Sequence, residues 1–136
     1  MEQQTISSIF AEATLAATVI RVRSVEDSVA WYRGKLGLEP LHVGEDGPDH
    51  PIASFTIAGA VVALWQLAPG DTVDADEAST GTYVVAVMSD DLEPFRERLL
   101  ARGVHVGDIS YSANNEFFWF YDPDGNRFEL SRPRPS

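Results

Sequence analysis

The stretch Asp122-Pro123-Asp124-Gly125-Asn126-Arg127-Phe128-Glu129-Leu130 decides how this chain is read, because it holds a tight corner, a strand and a carboxylate in one short segment. Pro123 fixes φ, Asp124-Gly125 supplies a position that accepts φ > 0, and Asn126 tolerates a left-handed conformation, so the segment reads as a hairpin corner. Phe117-Phe118-Trp119-Phe120-Tyr121 enters the corner and Arg127 to Arg132 leaves it. Alternation along the leaving strand puts Phe128 and Leu130 on one face and Arg127, Glu129 and Ser131 on the other. Glu129 is therefore flanked by two core candidates, and a solvated strand carboxylate is the plain alternative to a functional one.

Moving upstream, Thr82 to Ser89 reads as a strand, and Asp90-Asp91 caps a helix whose Leu92, Phe95 and Leu99 form a buried stripe. Ala101-Arg102-Gly103 stops that helix, and strands follow near 104–113, 116–121 and 126–132. The first half has the same order. Thr14 to Arg23 is a strand with Thr18, Ile20 and Val22 on one face and Ala17, Val19, Arg21 and Arg23 on the other. Ser24 with Asp27 opens a helix that turns Val25, Val29, Tyr32 and Leu36 to one side, and Gly37 ends it. Leu38 to Val43 is a short strand, Gly44 to Asp49 is turn chemistry, and Ile52 to Ile57 pairs with Ala60 to Leu67 around Ala58-Gly59. The chain thus runs β-α-β-β-β twice, an α+β class in which two half-sheets join around a shared cleft. Residues 1–13 form an N-terminal extension that docks through Ile9 and Phe10, 14–68 the first module, 69–81 a linker and 82–132 the second module, one domain in all.

A chain of 136 residues with 44% hydrophobic content suffices for one domain with a proper core. Cysteine is absent, which excludes disulfides, thiolate metal sites and a cysteine nucleophile, and is compatible with a reducing cytoplasm. Met1 to Ala13 lacks the pattern of a signal peptide, and no apolar run reaches about 18 residues, so a cytoplasmic protein without a membrane span is expected. A formal charge of −11, with ten Lys and Arg against twenty-one Asp and Glu, argues against nucleic acid. Acidity serves solubility first and a cationic ligand second.

Three segments together carry a family resemblance: Ser28-Val29-Ala30-Trp31-Tyr32-Arg33 with Leu36-Gly37-Leu38, Asp91-Leu92 with Leu99 and Gly103-Val104, and Asp122 to Asn126 with Glu129-Leu130. Over about residues 14–132 the chain resembles the vicinal oxygen chelate superfamily, which includes glyoxalase I, bleomycin-resistance proteins and extradiol dioxygenases. The resemblance implies paired β-α-β-β-β modules, a cup-shaped mixed sheet enclosing a ligand site, and frequently a homodimer. Metal-dependent members carry a ligand on the first and last strand of each module. Here the matching positions are Ala17, Ala63, Tyr83 or Val84, and Glu129, and His42, His50 and His105 lie elsewhere. One carboxylate does not make a site, so neither metal nor cofactor is expected.

What the cleft face offers instead is aromatic: Trp65, Tyr83, Phe117, Trp119 and Tyr121, with Phe118 and Phe120 assigned to the core. Flat rings on a concave wall suit an aromatic ligand. Arg21 shares the face of Ala17 and, in the arrangement the resemblance implies, pairs with Glu129 or holds an anionic ligand group. The expected function is that of a small-molecule-binding protein of the bleomycin-resistance kind, taking a partly aromatic metabolite or antibiotic. The alternative is a metal-independent lyase, isomerase or cyclase in which Glu129, its pKa raised by desolvation, acts as general base. A metal-dependent lyase or dioxygenase ranks last.

Overall fold

In the computed structural model, which describes residues 8–67 and 82–134, ten elements run in the order β-α-β-β-β-β-α-β-β-β. The first module comprises β1 (Thr18–Val22), α1 (Val25–Leu36), β2 (His42–Glu45), β3 (Pro51–Ile57) and β4 (Ala60–Gln66). The second comprises β5 (Tyr83–Val87), α2 (Leu92–Ala101), β6 (Ser110–Tyr111), β7 (Asn115–Tyr121) and β8 (Arg127–Pro133). Each module makes a four-stranded mixed sheet, in the orders β1-β4-β3-β2 and β5-β8-β7-β6. The registers match: Thr18 pairs in parallel with Val62 and Tyr83 with Arg127, at the same sequence separation. The linker expected at 69–81 lies outside the described residues. No helix among them is long and apolar enough to cross a membrane.

Local chemistry explains the elements. The Ser24 hydroxyl accepts the Asp27 N–H at 3.1 Å, and Gly37 closes α1 at φ 68, a left-handed position that suits glycine. Asp91 stands at the N-cap of α2 without a side-chain capping bond, because its carboxylate pairs with Arg132. Strand β2 starts later than its apolar pattern suggests, since Pro40 lacks the N–H a ladder needs; pairing begins when Leu41 N–H reaches Ser54 O at 2.7 Å. The strand expected near 104–113 is reduced to Ser110–Tyr111 and a single bridge between Val106 and Phe120. Ile9 and Phe10 are exposed, so the expected docking of the N-terminal extension through them does not occur.

One face of each sheet packs on its helix. Ile20, Val22, Ala53, Phe55, Val62 and Leu64 are buried there in the first module, and Phe118, Phe120, Phe128 and Leu130 in the second. The expected assignment of Phe118 and Phe120 to the core is correct. Tyr32 links the modules by contacting Phe55 at 5.4 Å and Phe128 at 6.1 Å between ring centroids.

The corner between β7 and β8 provides the polar half of that link. Asp122 Oδ1 accepts the N–H groups of Asp124 at 2.9 Å and Asn126 at 2.8 Å, and Oδ2 accepts the Tyr32 hydroxyl at 2.6 Å and Asn126 Nδ2 at 2.8 Å. Asn126 Nδ2 also reaches Arg21 O at 3.2 Å, its Oδ1 accepts Thr82 N–H at 2.9 Å, and Asp124 Oδ1 accepts Arg23 N–H at 2.9 Å. Gly125 supplies the positive φ of 83, as the sequence suggests, whereas Asn126 is not left-handed. Its buried amide is needed for cross-linking. Burial raises the Tyr32 hydroxyl pKa, with Asp122 reinforcing the shift, so the phenol stays a donor.

Candidate functional site

The faces turned away from the helices carry the candidate residues, because strand alternation sends every second side chain there. Register puts Arg21 beside Trp65 on the first sheet, with Ala63 and Val19 as the next pair. On the second sheet Glu129 lies between Val85 of β5 and Trp119 of β7, and Arg127 lies between Tyr83 and Tyr121. The repeat places Ala63, between buried Val62 and Leu64, where the second module has Glu129 between Phe128 and Leu130. A methyl group stands where the other module has a carboxylate.

On the second sheet the residues meet. Tyr83 donates its hydroxyl to Glu129 Oε1 at 2.5 Å, and Arg127 Nη2 lies 3.8 Å from the same oxygen. The Arg127 guanidinium carbon stands 4.8 Å from the Tyr83 ring centre and 5.6 Å from that of Trp119, within cation–π range of both. Trp119 and Tyr121 pack at 5.1 Å, tilted by 56°. Glu129 keeps only 15% of its side-chain surface and Arg127 32%, so this ion pair is partly screened from water. Arg127 Nε is buried without a hydrogen-bond partner among the described residues. The bond to Glu129 raises the Tyr83 pKa, and the opposing charge of Arg127 does not cancel it.

Trp119 is held from outside by the segment that replaces the expected strand. Gly107 donates its N–H to Trp119 O at 2.7 Å, and a Cβ at Gly107 would stand 2.6 Å from the indole. Arg96 on α2 fixes that segment through Nε to Gly107 O at 2.8 Å and an ion pair to Asp108. His105 lies 5.8 Å from the indole, a packing contact.

Of the residues singled out in the sequence, the structure brings Tyr83, Trp119, Tyr121 and Glu129 together, with Phe117 further along the same face of β7 opposite Ser131. Tyr83, not Val84, is the β5 residue that reaches Glu129. Arg21 and Trp65 sit on the other sheet, Trp65 40% exposed, and no hydrogen bond or ion pair joins them to Glu129 among the described residues. The expected ion pair of Glu129 with Arg21 is thus replaced by one with Arg127. Alternation had already put Arg127 and Glu129 on one face, a signal for the residue that sequence reasoning passed over.

A family model described as Glyoxalase/Bleomycin resistance protein/Dioxygenase superfamily matches residues 14–130. No curated protein matches the chain. Among solved structures, a glyoxylase/bleomycin resistance protein/dioxygenase domain from Frankia sp. EAN1pec is 20% identical, with TM-score 0.72 over 90% of this chain and 98% of that one. A glyoxalase family protein from Enterococcus faecalis is 16% identical, with TM-score 0.71 over 88% and 97% of the two chains. The fosfomycin resistance protein FosX from Listeria monocytogenes, complexed with Mn(II) and 1S,2S-dihydroxypropylphosphonic acid, is 19% identical, with TM-score 0.65 over 87% and 90%. These likenesses show a common fold. A divalent ion of the kind FosX holds does not fit the residues here: Ala63 offers no donor, Arg127 already sets a positive charge beside Glu129, and among the described residues no three His, Asp or Glu side chains converge.

Proposed function

Because this chain belongs to the glyoxalase/bleomycin resistance protein/dioxygenase superfamily, we propose that it binds a small, partly aromatic molecule on the open face of β5, β8 and β7 without using a metal. The observation that carries this reading is the Arg127 guanidinium held between Tyr83 and Trp119, a fixed cation among ring faces. Trp119 and Tyr121 offer stacking surface, about 0.5–1.5 kcal/mol per ring pair beyond area burial. Arg127 orients an acidic or electron-rich group, and the Tyr83–Glu129 pair supplies a hydroxyl and an acceptor. Phe117 extends the wall along β7, and Arg21 and Trp65 line the open face of the other sheet. Exposed Val85 and Val87 on β5, one edge of which no described strand pairs, support a homodimer that covers it. An antibiotic is a reasonable ligand class, since one structural neighbour is a fosfomycin resistance protein.

A second reading has one observation in its favour, the 2.5 Å contact that couples a proton donor, Tyr83, to a carboxylate. In that case the site is a metal-independent lyase, isomerase or cyclase with Glu129 as general base. Its carboxylate is not a bare group in an apolar pocket, however: Tyr83 and Arg127 both meet Oε1, which leaves Oε2 as the atom to accept a proton.

Tryptophan fluorescence across a library of aromatic metabolites and antibiotics tests the proposal, with quenching by a ligand expected in the wild type and lost in Trp119→Ala. With that ligand, Glu129→Gln weakens binding by about 1–3 kcal/mol if the residue only binds. If it is a base, affinity is kept and turnover falls by about 10² or more. Emission unchanged across the library would sink the aromatic wall.

A further inference from the structure

A hollow with a mostly apolar lining lies beneath the helix-facing side of β5 and β8. It is a cavity of about 340 Å³ bounded by α2, by these strands and, from the first module, by Leu38 and the β3–β4 turn. Comparing the two modules shows why it exists. Tyr32 is the eighth residue after the N-cap of α1 and is fully buried, its ring filling the space between helix and sheets. Leu99 is the eighth residue after the N-cap of α2, and opposite it β5 presents Val84 and Ala86, so smaller side chains leave that volume open. The helix face that borders it runs Phe95, Arg98, Leu99, Arg102, at the i, i+3, i+4, i+7 spacing that normally holds only apolar side chains.

Both arginines on this face are exposed. Arg102 Nη1 is bonded to Lys35 O at 3.1 Å, while Arg98 rests 5.4 Å from the Phe95 ring centre and makes no ion pair among the described residues. An apolar cavity of ligand size with a cation at its rim complements an amphipathic anion. We infer that this cavity is a second binding site, for a medium-chain aliphatic carboxylate whose tail enters between α2 and β5 while its head group meets Arg98. Glu129, whose carboxylate is bonded to Tyr83 on the open face, also borders this cavity, so the two sites are neighbours that share one residue.

The sequence supplies a probe, since the chain has two methionines, Met1 and Met88, and Met88 lines the cavity. The full chain carrying 13C-methyl methionine is titrated with decanoate and, separately, with decanol. Decanoate is expected to move the Met88 methyl signal saturably and leave Met1 in place, with decanol about tenfold weaker. Arg98→Gln should bring decanoate down to the level of decanol, and Ala86→Phe, which fills the space, should abolish the shift. Tryptophan emission should stay constant throughout, because the lining residues include no tryptophan. A Met88 signal that decanoate does not move overturns the proposal, as does decanol binding equal to decanoate. If Ala86→Phe folds poorly, Arg98→Gln decides: unchanged decanoate affinity in that surface variant overturns the role of the cation.

Discussion

The two hairpin corners of the repeat reverse the chain at the same point of each module, yet one is only a turn and the other is a joint. Between β3 and β4, Ala58 and Gly59 take φ values of 50 and 83, and no side chain from this corner bonds elsewhere among the described residues. Between β7 and β8, Asp122, Asp124 and Asn126 bond to backbone or side chains at Arg21, Arg23, Ser28 and Tyr32 of the first module. Apolar contact alone would let the two modules slide, since burial is not directional. The satisfied polar corner sets their relative position, so the second half of the repeat departs from the first where it must hold its partner.

The strongest way to break this contrast is Asp122→Ala. It strands the Tyr32 hydroxyl, the Asp124 and Asn126 N–H groups and one Asn126 amide proton, and is expected to cost about 3–5 kcal/mol in urea unfolding. A loss under about 1 kcal/mol would mean that the corner is no more than a turn. The pH dependence sharpens the same point. Burial pushes the Asp122 carboxyl above its ordinary range, outweighing the opposing pull of its bonds from Tyr32 and Asn126. A carboxyl whose folded pKa exceeds its unfolded one binds its proton more tightly when folded. Its contribution is therefore full below the ordinary Asp pKa and declines as pH rises through the raised folded value. The stability gap between the wild type and Asp122→Ala should narrow with rising pH across that window; a gap that widens would mean that the donors outweigh burial. The smallest effect belongs to the other corner. Ala58→Gly relieves a left-handed alanine but adds chain entropy to the unfolded state, so unfolding is expected to shift by less than about 1 kcal/mol. A larger destabilisation would reveal a packing role for the Ala58 methyl.

The element order was legible because it rests on local signals: the Ser24 cap, the left-handed Gly37 and the alternation of β8 all act within a few residues. The role of Asp122 and Asn126 was not legible, since turn chemistry explains both residues fully and their other partners lie 44 to 105 positions away. On the open face, Glu129 and the rings were found through alternation and resemblance. Arg127 was missed for a different reason: its worth depends on Tyr83 in another strand, and nothing adjacent in sequence marks that pairing. The segment at 104–109 was misread as a strand because Val104 and Val106 carry the right pattern, while Gly107, pressed against Trp119, pulls the chain over the sheet.

The bond from Asn126 to the Arg21 carbonyl also sets an order of events during synthesis. It closes a loop of 105 residues, whereas β3 and β4 pair across two. Closure entropy grows with loop length, and distant pairings form slowly. As the chain emerges from the ribosome, the first module can complete its own sheet, yet its β1 edge waits for the corner made last. Until Asn126 arrives, the Arg21 carbonyl has a partner only in water or in another molecule.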